Sequence, residues 1–221
     1  LKLSINGSIN LGTLAVDGKL QLVTHGSGNA TVVNDAGLHF VGSTVGGALS
    51  ATATTGNISD TQNYFDSLRK SNLGTSLAVA GPSSFTTSAS NATITLDDTT
   101  NALTGAVALS TRGTSGNATV DNGTTALGIA ASTVGGNLNL TSGHASGITD
   151  SGTVTVGGNL SATTDANNGV INLGTLAVDG AVALKTNGTG NATVVNDTGL
   201  NFAASTVGGN LAATATTGNI I

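Results

Sequence analysis

Internal repetition limits what this chain can fold into more than any other feature. Residues 11–59 and 173–221 align at a constant offset of 162, with 36 of 49 positions identical. A third copy starts at Gly105 as GAVALSTRGTSGNATV and resumes at Ile129 as IAASTVGGNL. A shorter phrase recurs inside these copies: TVGGNL at 133–138, 155–160 and 206–211, with TVGGAL at 44–49 and the related TLAVDG at 13–18 and 175–180. Val134, Val156 and Val178 follow one another at a constant offset of 22, which measures the unit. Val16 to Val45 and Val178 to Val207 share a longer offset of 29, which predicts an enlarged turn or a coil carrying a loop.

Within a unit, apolar residues alternate with polar ones. Leu14, Val16, Leu20 and Leu22 are broken by Asp17-Gly18, and Leu49, Ala51 and Ala53 precede Thr55-Gly56-Asn57. Alternation at period two marks half-buried strands, and Gly, Asn and Asp mark corners where a positive φ is often needed. A 22-residue unit cannot cover its own apolar face, whereas stacked units bury one another's. The expected fold is therefore all-β, a right-handed parallel β-helix (β-solenoid) of about 22 residues per coil with some longer coils. About ten coils at roughly 4.8 Å each predict a rod near 50 Å long. Corner residues such as Asn137 and Asn159 are placed to form amide ladders along its axis.

Composition excludes the rivals. Charged residues make up 8% of the chain, Gly numbers 33, and Cys, Met and Trp are absent. Straight-chain helix formers are scarce while β-branched residues abound, which argues against a helical protein. A regular alternation with 38% apolar residues argues against disorder. One Tyr and four Phe cannot supply the aromatic girdles of a membrane barrel, and six basic residues are too few for a nucleic-acid surface. The first residue is already strand-like and no cap is evident at either end, so residues 1–221 read as a single β-helix segment of a longer array.

The phrases TLAVDG, NATVVND, AASTVGGNL and ATATTGNI resemble the repeat region of filamentous-haemagglutinin-like exoproteins of bacterial two-partner secretion. That group includes adhesins and contact-dependent inhibition stalks, and the resemblance is weakest over 60–100. It implies a right-handed β-helix filament at the bacterial outer surface, secreted through an outer-membrane partner. It also implies a role in attachment or biofilm formation, with a host or neighbouring-cell receptor or glycan as the partner. A subunit that stacks end to end on copies of itself is the alternative.

Candidate chemistry is sparse. Residues 60–74 break the pattern and hold Tyr64, Phe65, Arg69 and Lys70. This stretch reads either as a projecting loop or short helix offering an aromatic and basic contact, or as an irregular coil with Phe65 and Leu68 facing inward. Asn29, Asn91, Asn117 and Asn191 each head an Asn-Ala-Thr sequon and would be glycosylation acceptors; Asn122 and Asn196 are among the further sequons. Asp97-Asp98 is the only acid pair, and neighbours on a strand point to opposite faces, so no catalytic pair is expected. His25, His39 and His144 are too scattered for a metal motif, and the expectation is no enzyme and no cofactor. Thr52-Ala-Thr54, Thr93-Ile-Thr95, Thr153-Val-Thr155 and Thr214-Ala-Thr216 resemble the outward pairs of ice-binding solenoids, yet their uneven spacing speaks against a flat ice face.

Overall fold

The alternating pattern yields strands of two to eight residues, each ended by a corner rich in Gly, Asn or Thr. The computed structural model describes residues 1–60, 65–66, 71–72, 77–165 and 168–221, with backbone only at 65–66 and 71–72. Among the described residues there is no helix. The strands stack as a β-solenoid of about nine turns.

One coil shows the plan. Ser43–Val45 forms a first side, Gly46-Gly47-Ala48 turns the corner, Leu49–Ala53 forms a second side, and Ile58–Asp60 forms a third. The chain then rejoins the first side at Leu77–Val79, which pairs in parallel with Ser43–Val45. Two large sheets, of 13 and 12 strands, wall the rod. Every pair in them is parallel, as stacking of successive coils requires.

Register carries each inward residue onto an inward residue of the next coil. One row runs Leu38, Ile58, Ile94, Ala118, Leu138, Leu160, Val182. All seven are 3% exposed or less, so the row is a continuous aliphatic core with no gap along its length. Among the described residues Phe40 and Phe85 are the fully buried aromatics, packed edge to face at 6.5 Å.

The irregular spacings now have causes. Residues 61–76 lie between the third side and the first, a junction that the coil before makes with Val41-Gly42 and the coil after with residues 97–101. The step from Ser43 to Leu77 is therefore much longer than the following one, from Ala78 to Ala102. The longer valine offset has a different cause from the one expected. Val134, Val156 and Val178 stack on one another. Val16, by contrast, is covered by Asn34, whereas Val45 lies on another side beside Val79. The offset from Val16 to Val45 is one coil plus one side, not an enlarged turn.

Candidate functional site

The corners recur most faithfully from copy to copy, and their geometry explains the repeated residues. The Oδ1 of Asn117 accepts from the backbone N of Asn137 at 2.7 Å, Asn137 Oδ1 from Asn159 N at 2.8 Å, and Asn159 Oδ1 from Ala181 N at 2.8 Å. The expected amide ladder is present, although it joins side chain to backbone rather than amide to amide. Asn29 serves Ala48 N and Asn191 serves Asn210 N in the same way, both at 2.7 Å, and Asn91 serves Ser115 N at 3.0 Å. All four Asn-Ala-Thr asparagines thus sit at corners with their oxygen tied to the next coil. Asn29, Asn91 and Asn191 are exposed and Asn117 is half-buried.

The paired glycines answer this ladder. A Cβ on Gly136 would overlap the Asn117 Oδ1, and one on Gly47 would overlap that of Asn29. Neither glycine has a positive φ; what requires glycine is the close approach of the coil beneath. The positive φ falls instead on Gly26, Gly113 and Gly188, one coil earlier. Inside the same corners a buried threonine holds the turn. Thr24 and Thr186 donate to the carbonyls of Gly28 and Gly190 at 2.6 and 2.7 Å, and accept from Gly46 N and Gly208 N, both at 2.9 Å.

The sides present hydroxyls in register. Thr52, Thr86, Ser110, Thr133 and Thr155 lie side by side on five successive coils. A second row begins with Thr31, Ser50 and Ser84 and gives way to Ala108. A shallow, uncharged groove follows these rows, floored by small residues such as Ala48, Ala108 and Ala130. Of the Thr-x-Thr pairs, Thr52 and Thr155 share this face, while Thr95 stands on another side between Ser59 and Thr119. The pairs therefore do not assemble into one two-column array.

The acids divide by exposure. Asp17, Asp35, Asp179 and Asp197 are exposed at corners, as turn residues would be. Asp97 is exposed while Asp98 is buried, so the acid pair does point to opposite sides. Asp60 is buried, and burial pushes its carboxyl up to about 6 from an ordinary 3.8; nearby Asp97 and Asp98 add to the rise, against hydrogen bonds from Asn101 and Asp97 N. Burial likewise raises Asp121. His39 Nδ1 lies 2.7 Å from Ser59 Oγ, and burial, then the Lys19 ammonium, hold its imidazole below the usual value. Among the described residues no three His or Asp side chains group as a metal cage.

Residues 27–110 and 115–175 match the family model for repeats of unknown function, DUF5649. The chain belongs to the DUF5649 repeats. The match takes in the Thr52 to Thr155 hydroxyl row and the corners of Asn29, Asn91 and Asn117. No curated protein and no solved structure matches the chain. Of the contact residues expected from this DUF5649 sequence, Tyr64, Arg69 and Lys70 lie outside the described residues, and Phe65 is described in backbone only. There Phe65–Asp66 pairs antiparallel with Ser71–Asn72, so these four residues are strand where a short helix was one expectation. Sequence reasoning gives no structural role to the buried carboxamides Asn34, Asn101, Asn122 and Asn196. The return of Asn34 as Asn196, in the second NATVVND, is the one signal the DUF5649 repeat itself offers.

Proposed function

We propose that the chain is a structural, non-enzymatic length of an extracellular β-helical rod from a bacterial surface adhesin or filament, serving attachment or biofilm formation. The observation that carries this reading is the uninterrupted stacking of coils, with a solid aliphatic row at the centre and a side-chain-to-backbone ladder at the corner. Such a body is a stiff spacer, and repetition at a fixed offset lets it be lengthened by adding whole blocks. The hydroxyl rows and the neutral groove supply a face suited to a neutral, hydroxyl-rich surface glycan, and Tyr64, Phe65, Arg69 and Lys70 supply a second contact. Resemblance to filamentous-haemagglutinin-like repeats supports secretion through an outer-membrane partner. In-frame removal of this segment from the parent polypeptide tests the proposal: attachment of producing cells to surfaces should fall while the protein still reaches the cell exterior. Attachment unchanged at equal surface display would refute it.

End-to-end self-association is the second reading, favoured by the parallel pairing of coil on coil, which a further copy can continue in the same way. Electron microscopy of the isolated chain separates the two. Long fibres support stacking, and short rods oppose it.

A further inference from the structure

The hydroxyls on the second side differ from those inside the corners in what they bond. Thr24, Thr164 and Thr186, at corners, donate to the carbonyls of Gly28, Gly169 and Gly190. On the second side Thr52, Thr86, Ser110, Thr133 and Thr155 follow one another in register, with Ser50 and Ser84 beside them. None of these seven hydroxyls makes a hydrogen bond among the described residues. Thr52, Ser84, Thr86 and Ser110 are nevertheless half-buried. Each therefore keeps a donor and an acceptor that the fold does not use.

Charge, shape and spacing narrow the class of ligand. Neither row contains an ionisable side chain, and Arg112 ends its strand at the corner, outside both. On the adjoining third side, by contrast, Thr141 and Thr163 stand in a row between Asp121 and Lys185. A charged ligand finds no counter-charge on the second side, whereas a neutral polyol meets groups that donate and accept as its own do. The groove is floored by Ala48, Ala106, Ala108 and Ala130, so a sugar ring can lie flat against methyl groups. At strand spacing the patch is about 24 Å long and about 15 Å wide. It offers a second copy of the chain about 360 Å², where a stable pair needs roughly 800 Å² from each partner. A linear polymer uses such a strip in full. In an extended, β-1,4-linked pyranose chain each ring advances by close to the spacing between coils, so ring and coil keep step; an α-1,4-linked chain curls and does not.

We propose that the second side binds an extended, neutral β-1,4-linked glycan laid parallel to the rod axis, one ring to a coil along the row from Thr52 to Thr155. This site deepens the surface-glycan reading above and rests on it. A single coil holds a ring weakly, because hydrogen bonds between neutral hydroxyls replace bonds to water of similar strength. Five coils in register hold a chain through number, each ring after the first being delivered by its neighbour. Affinity therefore grows with chain length up to about five rings.

Calorimetric titration of the full chain with cellohexaose tests this. Cellohexaose should bind about tenfold or more tightly than cellobiose, and by a similar margin over maltohexaose, its α-1,4-linked counterpart. Thr86→Val, Ser110→Ala and Thr133→Val combined should weaken cellohexaose binding about tenfold, while Thr141→Val with Thr163→Val leaves it unchanged. Valine keeps the β-branched shape that a strand favours. Amide NMR of the wild-type chain locates the site even if the triple variant does not fold, with shifts expected at 50–52, 84–86, 108–110 and 132–134. Absence of saturable binding at millimolar cellohexaose overturns the proposal. So do equal binding of maltohexaose, an unaffected folded triple variant, or amide shifts confined to the third side. Dimerisation of the chain through these residues would assign the face to a second copy and overturn it as well. An attachment defect on removal of the segment, with cellohexaose silent, overturns this site and leaves the rod reading standing.

Discussion

Asn122 is fully buried, yet its side chain leaves nothing unpaired. Its Oδ1 accepts from Leu103 N at 2.8 Å, and its Nδ2 donates to Leu103 O at 3.0 Å and to Ala126 O at 2.8 Å. Asn34 and Asn196 grip Val16 and Val178 in the same manner. Each carboxamide stands in for a strand residue where the coil turns, so the backbone of the neighbouring coil keeps its ladder. Asn122→Ala should lower stability by about 3 kcal/mol, because two buried backbone groups and one half-buried one lose a partner. Asn29→Ala, at an exposed corner where the side chain takes one bond, should cost about 1 kcal/mol. Thermal melts of the two variants side by side check the difference. The same geometry sorts the sequons, since Asn122 and Asn196 have their amide protons engaged inside the rod. A triplet such as Asn-Gly-Thr does not say which way its asparagine points. Only the register of the coil does, and for that reason these two look like Asn29 in the sequence.

The corner is the element at which sequence and structure correspond most closely, though for a different cause than expected. The Gly-Gly of TVGGN reads naturally as a demand for positive φ, but Gly135, Gly136, Gly157 and Gly158 have none. Their Cβ positions are taken by the previous coil: by Gly113 O and Asn117 Oδ1 for the first pair, by Gly135 O and Asn137 Oδ1 for the second. Glycine is needed because another coil lies below, and a lone coil would not ask for it. Gly136→Ala should destabilise by about 1–3 kcal/mol through forced displacement of the Asn117 amide and the 114–116 backbone. Combining it with Asn117→Ala removes one of the clashing groups, so the double variant should lose less than the sum of the two singles. Denaturant titration of all three proteins provides the cycle. Additive losses would mean that the two residues do not compete for the same space.

On the scale of the whole molecule, the repeats make the architecture readable and the insertion hides its phase. Stacked coils, small core residues and the corner ladder all follow from the even spacing of Val134, Val156 and Val178. The hydroxyl row from Thr52 to Thr155 does not, because its members come from different phrases and meet only through register. Asp60 is equally hidden. In the sequence it is the first residue of an irregular stretch, and in the rod it is the last inward residue of a regular side. Since the coil before makes this junction with two residues and the coil after with five, replacing 61–76 by Val-Gly should leave a rod that melts cooperatively and loses no more β content by circular dichroism than the four strand residues removed. Loss of a cooperative transition would show that the segment is part of the stacking itself.

The strand ladder has one more consequence, for a chain held under load. Because strands run around the rod, each turn of about 22 residues occupies roughly 4.8 Å of axis yet measures about 75 Å when drawn straight. Tension applied to the ends meets the corner bonds one turn at a time, so the body yields like line leaving a reel. Each released turn gives about fifteenfold its own length, which lets a tether lengthen and absorb a jolt before any covalent bond is strained.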